Sequence, residues 1–430
     1  MGEPLKSELL YQLTANLKEK ALIQQLFKTE YRKIVSVLCK LFGINHIEIA
    51  EDITNDTFLL ASETWGLKGI PENPTAWLYT VAKNKTKDYF KRNTIFTEKI
   101  VADFKMNHNQ YEEIEVDLSN KNITDSQLQM IFAICNPVIP SEAQVGLALK
   151  VLCGFGIDEI SEAFLTNKET INKRLYRAKE KLRTEKIKIE LPTEKDLHER
   201  LENVLTTLYL LFNEGYHSNT QKTHLRKEMC LEAMRLNYFL IENESTNKPH
   251  VNALMALMCF HSSRFEARTN QTGEPILYDQ QDKNLWNDEL IEKGNFYLIQ
   301  SAKGDELSKY HLEANIAYWH TSKLENPKKW DYILQAYNRL LLIEYSPITA
   351  LNRTYALAKV KGKQTAIVEA EKLNLSDNHF YFSLLGYLYT DIDNAKAISY
   401  IKMAIQKAKN GHDILLLEKK LNDLKLKINS

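Results

Sequence analysis

The stretch PENPTAWLYTVAKNKTKDYFKR, from Pro71 to Arg92, reads as a turn followed by one short helix with several distinct surfaces. Pro71 and Pro74 break the chain ahead of it, and Asn73 or Thr75 can cap its first turn. At about 100° per residue, Trp77, Leu78, Val81, Ala82 and Tyr89 share a broad apolar arc. Lys83, Lys87 and Lys91 project from the opposite side, with Asn84 beside them. Tyr79 and Phe90 sit at a border, where a ring can face either the core or a ligand. Lysines beside aromatics suit a single-stranded nucleic acid, because the charges hold phosphates and a ring can stack on an unpaired base. A solvated basic helix face has the same pattern.

Working outward, the chain around this helix is also expected to be helical. Its 430 residues include 14 Gly and 10 Pro, and no alternating Val/Ile/Thr runs point to strands. The fold class is therefore expected to be all-α, in about two to four domains. A 44% hydrophobic fraction with 26% charged residues is ordinary globular composition. Basic and acidic residues balance at 56 each, so any affinity for nucleic acid has to come from a local patch. Cys39, Cys135, Cys153, Cys230 and Cys259 are widely spaced and never form a CxxC pair, which points to buried, reduced thiols. The opening MGEPLKSELLYQL has no signal-peptide pattern, and no stretch of 18 apolar residues occurs. A cytoplasmic location without a membrane partner is the expectation.

A second signal lies downstream. Phe155-Gly156-Ile157-Asp158 opens a short helix whose Ile160, Ala163 and Phe164 point inward. Leu165-Thr166-Asn167 forms a tight turn, and Asn167 or Thr166 can cap the next helix. That helix, KETINKRLYRAKEKLR, places Ile171, Leu175, Ala178 and Leu182 on one face. Lys168 precedes the opposite face, which carries Glu169, Asn172, Lys173, Tyr176 and Arg177. Nine basic residues against three acidic ones between Lys168 and Lys188 favour a DNA-binding helix-turn-helix over a plain helical hairpin. Lys and Arg there can bond guanine edges or phosphates, while Asn172 and Glu169 can read adenine or cytosine.

Taken in order, these two units resemble the two conserved regions of an extracytoplasmic-function sigma factor of bacterial RNA polymerase. AEDITNDTFLLASETW, Ala50 to Trp65, resembles the region 2 helix that docks on the polymerase clamp, and WLYTVAKNKTKDYFKR resembles the helix that melts and holds the −10 element. The resemblance implies core-polymerase contacts by Asp52 and Asp56, −10 contacts by Lys83, Asn84, Lys87, Lys91 and Arg92, and −35 contacts by Lys168, Glu169, Asn172, Lys173, Tyr176 and Arg177. The chain departs from the family in having Lys83, Lys85 and Lys91 where Arg is common, which keeps charge but loses bidentate geometry.

The expected division is region 2 over 8–92, a polar linker over 93–122, region 4 over 123–188, and a helical C-terminal domain over 193–430 after the Leu191-Pro192-Thr193 break. LYLLFNEGYHSN (Leu208 to Asn219), ALMALMCFHSSRFEAR (Ala253 to Arg268) and LYDQQDKNLWN (Leu277 to Asn287) are similar to segments of a sigma subfamily with a long, tetratricopeptide-like C-terminal extension. FSLLGYLY (Phe382 to Tyr389) with Ala397, Ile401 and Ala404 approximates one repeat; Ala336, Leu340 and Pro347 give a comparable second helix and stop. Such grooves take a protein or peptide partner.

Asn213, Glu214, His217, Asp279 and Asp282 match no metal, nucleophile or phosphate-loop spacing, and read as helix caps or bonds between repeats. His261 and His320 read as satisfied core or groove histidines. No catalysis, cofactor or metal is expected. The alternative to a sigma factor is a conventional helix-turn-helix regulator whose helical-repeat half senses a partner.

Overall fold

Apolar residues recurring every three or four positions make nearly every described element a helix, so the fold is all-α. The computed structural model describes residues 3–92, 116–217, 223–270, 276, 278–323, 325–409 and 411–429. Most of the expected linker, 93–115, lies outside the described residues. The chain forms two compact units, Met1–Thr246 and Asn247–Ser430.

In the first unit, α1 (Glu3–Phe42) packs on α2 (Ile47–Lys68), and both pack on α3 (Pro74–Arg92). Gly43, at φ 84, takes the left-handed turn that ends α1, a conformation glycine adopts without steric cost. Ile34, Leu38 and Phe42 of α1 and Ile47, Ala50 and Ala61 of α2 are all essentially solvent-free. Each fully buried side chain of this size stabilises by roughly 2 kcal/mol.

The chain resumes in α4 (Asn120–Ile134), whose cap Ser119 accepts the Asn122 N–H, and α4 packs on α1. Then follow α5 (Ser141–Leu147), extended by a π-helical turn through Leu152, α6 (Ile157–Ala163) and α7 (Lys168–Thr184).

The expected domain edge at Leu191-Pro192-Thr193 lies in the loop that follows α7 but does not separate the two units. Beyond it, α8 (Glu194–His217) and α9 (Thr223–Glu242) pack as a pair within the first unit. The buried stripe Leu201, Val204, Leu205, Leu208, Leu211 and Phe212 supplies the apolar face of α8, which packs on α4 and α5. Inside that contact the Thr207 hydroxyl donates to Gln144 Oε1 at 2.6 Å. Gln144 Nε2 in turn donates to the carbonyls of Asn136 and Ile139 at 3.0 and 2.8 Å, so the buried amide is satisfied. The division by contacts therefore falls after Thr246.

The second unit begins with α10 (Pro249–Ser262), apolar almost all round and almost wholly buried against α11 (Asp288–Ser301) and α12 (Lys309–Thr321). It continues through α13 (Lys329–Ile343), α14 (Pro347–Lys361), α15 (Lys363–Leu373), α16 (His379–Tyr389), α17 (Asn394–Lys407) and α18 (Gly411–Asn429). From α13 onward each helix packs chiefly on its chain neighbours, the contact pattern of a helical array. Pro347 opens α14 at a position where its missing N–H costs nothing; it therefore starts the next helix as well as stopping the one before.

Candidate nucleic-acid interface

Three helices of the first unit carry the residues singled out in the sequence. On α3, Asn73 Oδ1 accepts the Ala76 N–H at 3.0 Å, which decides the cap in favour of Asn73 over Thr75. Leu78, Ala82, Thr86 and Phe90 form its buried face. Asn84, Lys87, Lys91 and Arg92 are exposed, and Lys83 is half-buried.

The bordering aromatics turn inward: Phe90 is buried and Tyr79 half-buried. Phe90 packs 5.2 Å from the ring of Phe42, and the Tyr79 hydroxyl donates to Glu30 Oε2 at 2.6 Å. Burial, followed by the Glu30 hydrogen bond, raises the Tyr79 phenol above its usual range. The misplaced phase has a local cause. Thr86 is solvent-free because its hydroxyl returns a hydrogen bond to the Ala82 carbonyl at 2.8 Å, which lets a polar residue occupy the core face beside Phe90.

On α2, Ile47, Ala50, Ile53, Phe58, Ala61 and Trp65 are buried, while Asp52 and Asp56 are exposed. Asp56 lies 3.4 Å from Lys85 of α3, a pairing the sequence reading did not foresee. Leu59 is 58% exposed and lies one turn beyond Asp56. It was also missed, although its position outside the apolar phase of α2 is the signal that could have found it.

On α7 the separation of faces is clean. Ile171, Leu175, Ala178 and Leu182 are buried, and Lys168, Glu169, Asn172, Lys173, Tyr176 and Arg177 are exposed. Asn167 Oδ1 caps the helix from the Thr170 N–H at 2.8 Å. Leu165, at φ 47, takes the left-handed step of the preceding turn. At the start of α6, Glu159 reaches back to the Gly156 N–H at 2.8 Å. Arg174 points away from the exposed face, 5.4 Å from the Phe164 ring centroid and 2.9 Å from Glu142.

The density of basic residues overstates the free charge of this helix. Lys179 bonds Glu51 at 2.6 Å, and Arg183 bonds Glu48 at 2.8 Å and the Asn45 carbonyl at 3.0 Å. The C-terminal half of α7 is thus tied to α2 and the turn ahead of it. Its N-terminal half holds the exposed polar cluster.

Residues 26–95 match Sigma-70 region 2, and residues 200–302 match a family of unknown function, DUF6596. The region 2 match, which spans α2 and α3, supports a factor of the sigma-70 family, with a role in transcription initiation through core RNA polymerase and promoter DNA. An uncharacterized protein, R00370, of Rhizobium meliloti (strain 1021) is 29% identical over 388 residues, covering 88% of this chain and 90% of its own. No solved structure matches. Among the described residues, no helix is long and apolar enough to cross a membrane.

Proposed function

We propose that this chain is a promoter-specificity subunit of the extracytoplasmic-function type. In this reading α2 docks on core RNA polymerase through Asp52, Asp56 and the neighbouring Leu59, and α3 holds the −10 strand through Lys83, Asn84, Lys87, Lys91 and Arg92. The α6–α7 pair is the helix-turn-helix of region 4 and reads the −35 duplex through Lys168, Glu169, Asn172, Lys173, Tyr176 and Arg177. The observation that carries the reading is the region 2 match, which encloses an acidic exposed face on α2 and a basic exposed face on α3. Exposed charges of this kind supply affinity and register, whereas base edges supply specificity.

The second unit is read as a tetratricopeptide-like array that receives a protein or peptide partner and controls the sigma unit. The sequential packing of α13 to α18 supports that reading, as does the small-residue seam of Gly386, Ala397 and Ala404.

Purified full-length protein with core polymerase should give promoter-dependent run-off transcripts. Protein that binds duplex DNA yet neither associates with core enzyme nor supports initiation would instead be a conventional helix-turn-helix regulator. To test the control role, truncation should fall after Thr246, since a cut near Leu191 would strip α8 from α4 and α5. Unaltered transcription and core affinity in that truncation would remove the control role.

A further inference from the structure

The LYDQQDKNLWN run found no role in promoter recognition, yet Tyr278 and Trp286 from it join a ladder of rings in the second unit. Tyr278 stacks on Trp286 at 6.4 Å and meets His320 edge-on at 5.0 Å. The ladder continues from His320 to Trp330 at 5.8 Å, to Tyr355 at 5.7 Å and to Tyr387 at 5.1 Å. Tyr278, His320, Trp330, Tyr355 and Tyr387 line one cavity of about 590 Å³, together with Lys420 of α18. Cavities of about 300–1,000 Å³ with aromatic walls and a few polar groups are the usual sites of small organic ligands.

The polar groups around it favour one sign of charge. Lys359 Nζ lies 5.2 Å from the Tyr355 ring centroid and 5.8 Å from that of Tyr387. Lys329 Nζ donates to the Tyr278 hydroxyl at 3.2 Å, and the Arg264 guanidinium lies 4.7 Å from the Tyr278 ring. No carboxylate pairs with Lys329, Lys359 or Lys420 among the described residues, and Asp279 is the one acid in the lining. Burial holds the Lys329 and Lys420 amines below the usual lysine range; at Lys329 the charges of Lys283 and Arg264 add to this and that of Asp279 partly offsets it. A cation withdrawn from water with no carboxylate in ion-pair contact gains from an incoming anion. His320, expected from the sequence to be a satisfied core or groove histidine, instead has an Nδ1 that is shielded from solvent and has no hydrogen-bond partner among the described residues.

We propose that this cavity binds a small organic anion with a planar apolar body, such as an aromatic carboxylate, seated against the wall of Trp330, Tyr355 and Tyr387 rings with its charge toward Lys329 and Lys420. The assignment rests on the second unit alone and is independent of the polymerase reading.

Three naphthalene probes separate body from charge by calorimetric titration of the full chain: 2-naphthoate, neutral 2-naphthylmethanol and cationic 2-naphthylmethylammonium. The naphthoate is expected to bind at least about tenfold more tightly than the neutral probe, the worth of one charge-assisted contact. Lys329→Gln and Lys420→Gln should each remove most of that advantage while leaving the neutral probe's affinity unchanged. Tyr355→Leu should weaken both probes. Circular dichroism of the variants should match the parent in helicity and melting. Failure of the naphthoate to bind, tighter binding of the cation, or indifference of the naphthoate to both lysine substitutions would each overturn the proposal.

Discussion

Lys179 Nζ lies 2.6 Å from Glu51 Oε2, and the two side chains are only 14% and 12% exposed. This pair fastens the basic helix α7 to α2, the helix that also carries Asp52 and Asp56. The nearby Arg183–Glu48 contact is much more exposed and contributes about 0–1 kcal/mol.

Removing one partner of such a shielded pair strands a charge. Lys179→Met alone should destabilise the first unit by about 3 kcal/mol, whereas Lys179→Met with Glu51→Leu should recover most of that loss. Denaturant titration of the parent, both single variants and the double variant closes the cycle. Additive effects would show that the pair is not coupled.

At the other end of α7, Lys173 and Arg177 are exposed, and in the proposed reading they contact phosphate or base edges. Lys173→Ala or Arg177→Ala should weaken duplex binding and lower the salt slope by about one unit each. A slope unchanged in both variants takes this face out of the interface.

Lys87 on α3 is exposed and far in sequence from α7, the proposed duplex reader. Lys87→Ala should impair strand opening while leaving −35 binding intact. Permanganate footprinting of promoter thymines reads the difference, and full reactivity in the variant contradicts the assignment of α3.

Gly386 sits where α16 crosses α17, and a Cβ there would lie 2.6 Å from Ile401 Cγ1. Gly386→Ala should therefore cost about 1–3 kcal/mol by overpacking, partly offset by the better helix propensity of alanine. A variant as stable as the parent would mean that Ile401 yields without strain.

Burial, followed by the neighbouring charges of Lys329 and Arg264, lowers the His320 imidazole from 6.5 to about 3. The folded state then refuses a proton that the unfolded state accepts. Stability from this residue is full above pH 6.5 and is lost as pH falls toward 3, by up to about 1.4 kcal/mol per pH unit. A His320→Gln variant should show a shallower loss across that window when unfolding midpoints are compared at several pH values. Identical slopes would place His320 in contact with water.

The two faces of α7 were legible because a helix period and a sharp turn are local properties. Ile171, Leu175, Ala178 and Leu182 had to be buried together, which left Lys173, Tyr176 and Arg177 outside. The phase of α3 was harder to read. Thr86 looks polar in sequence, but its backbone hydrogen bond let it enter the core and carry Phe90 with it.

By itself the sequence determined that the chain is helical, where the helices around Pro74–Arg92 and Lys168–Thr184 begin, and which of their apolar stripes must be covered. Those outcomes depend on residues within a turn or two of each other. Tertiary structure alone decided what covers each stripe. It placed α8 and α9 with the first unit, spent Lys179 and Arg183 on α2, and gathered rings from Tyr278 to Tyr387 around one cavity. Those contacts join residues scores of positions apart, and a periodic pattern marks which face is buried but not which partner buries it.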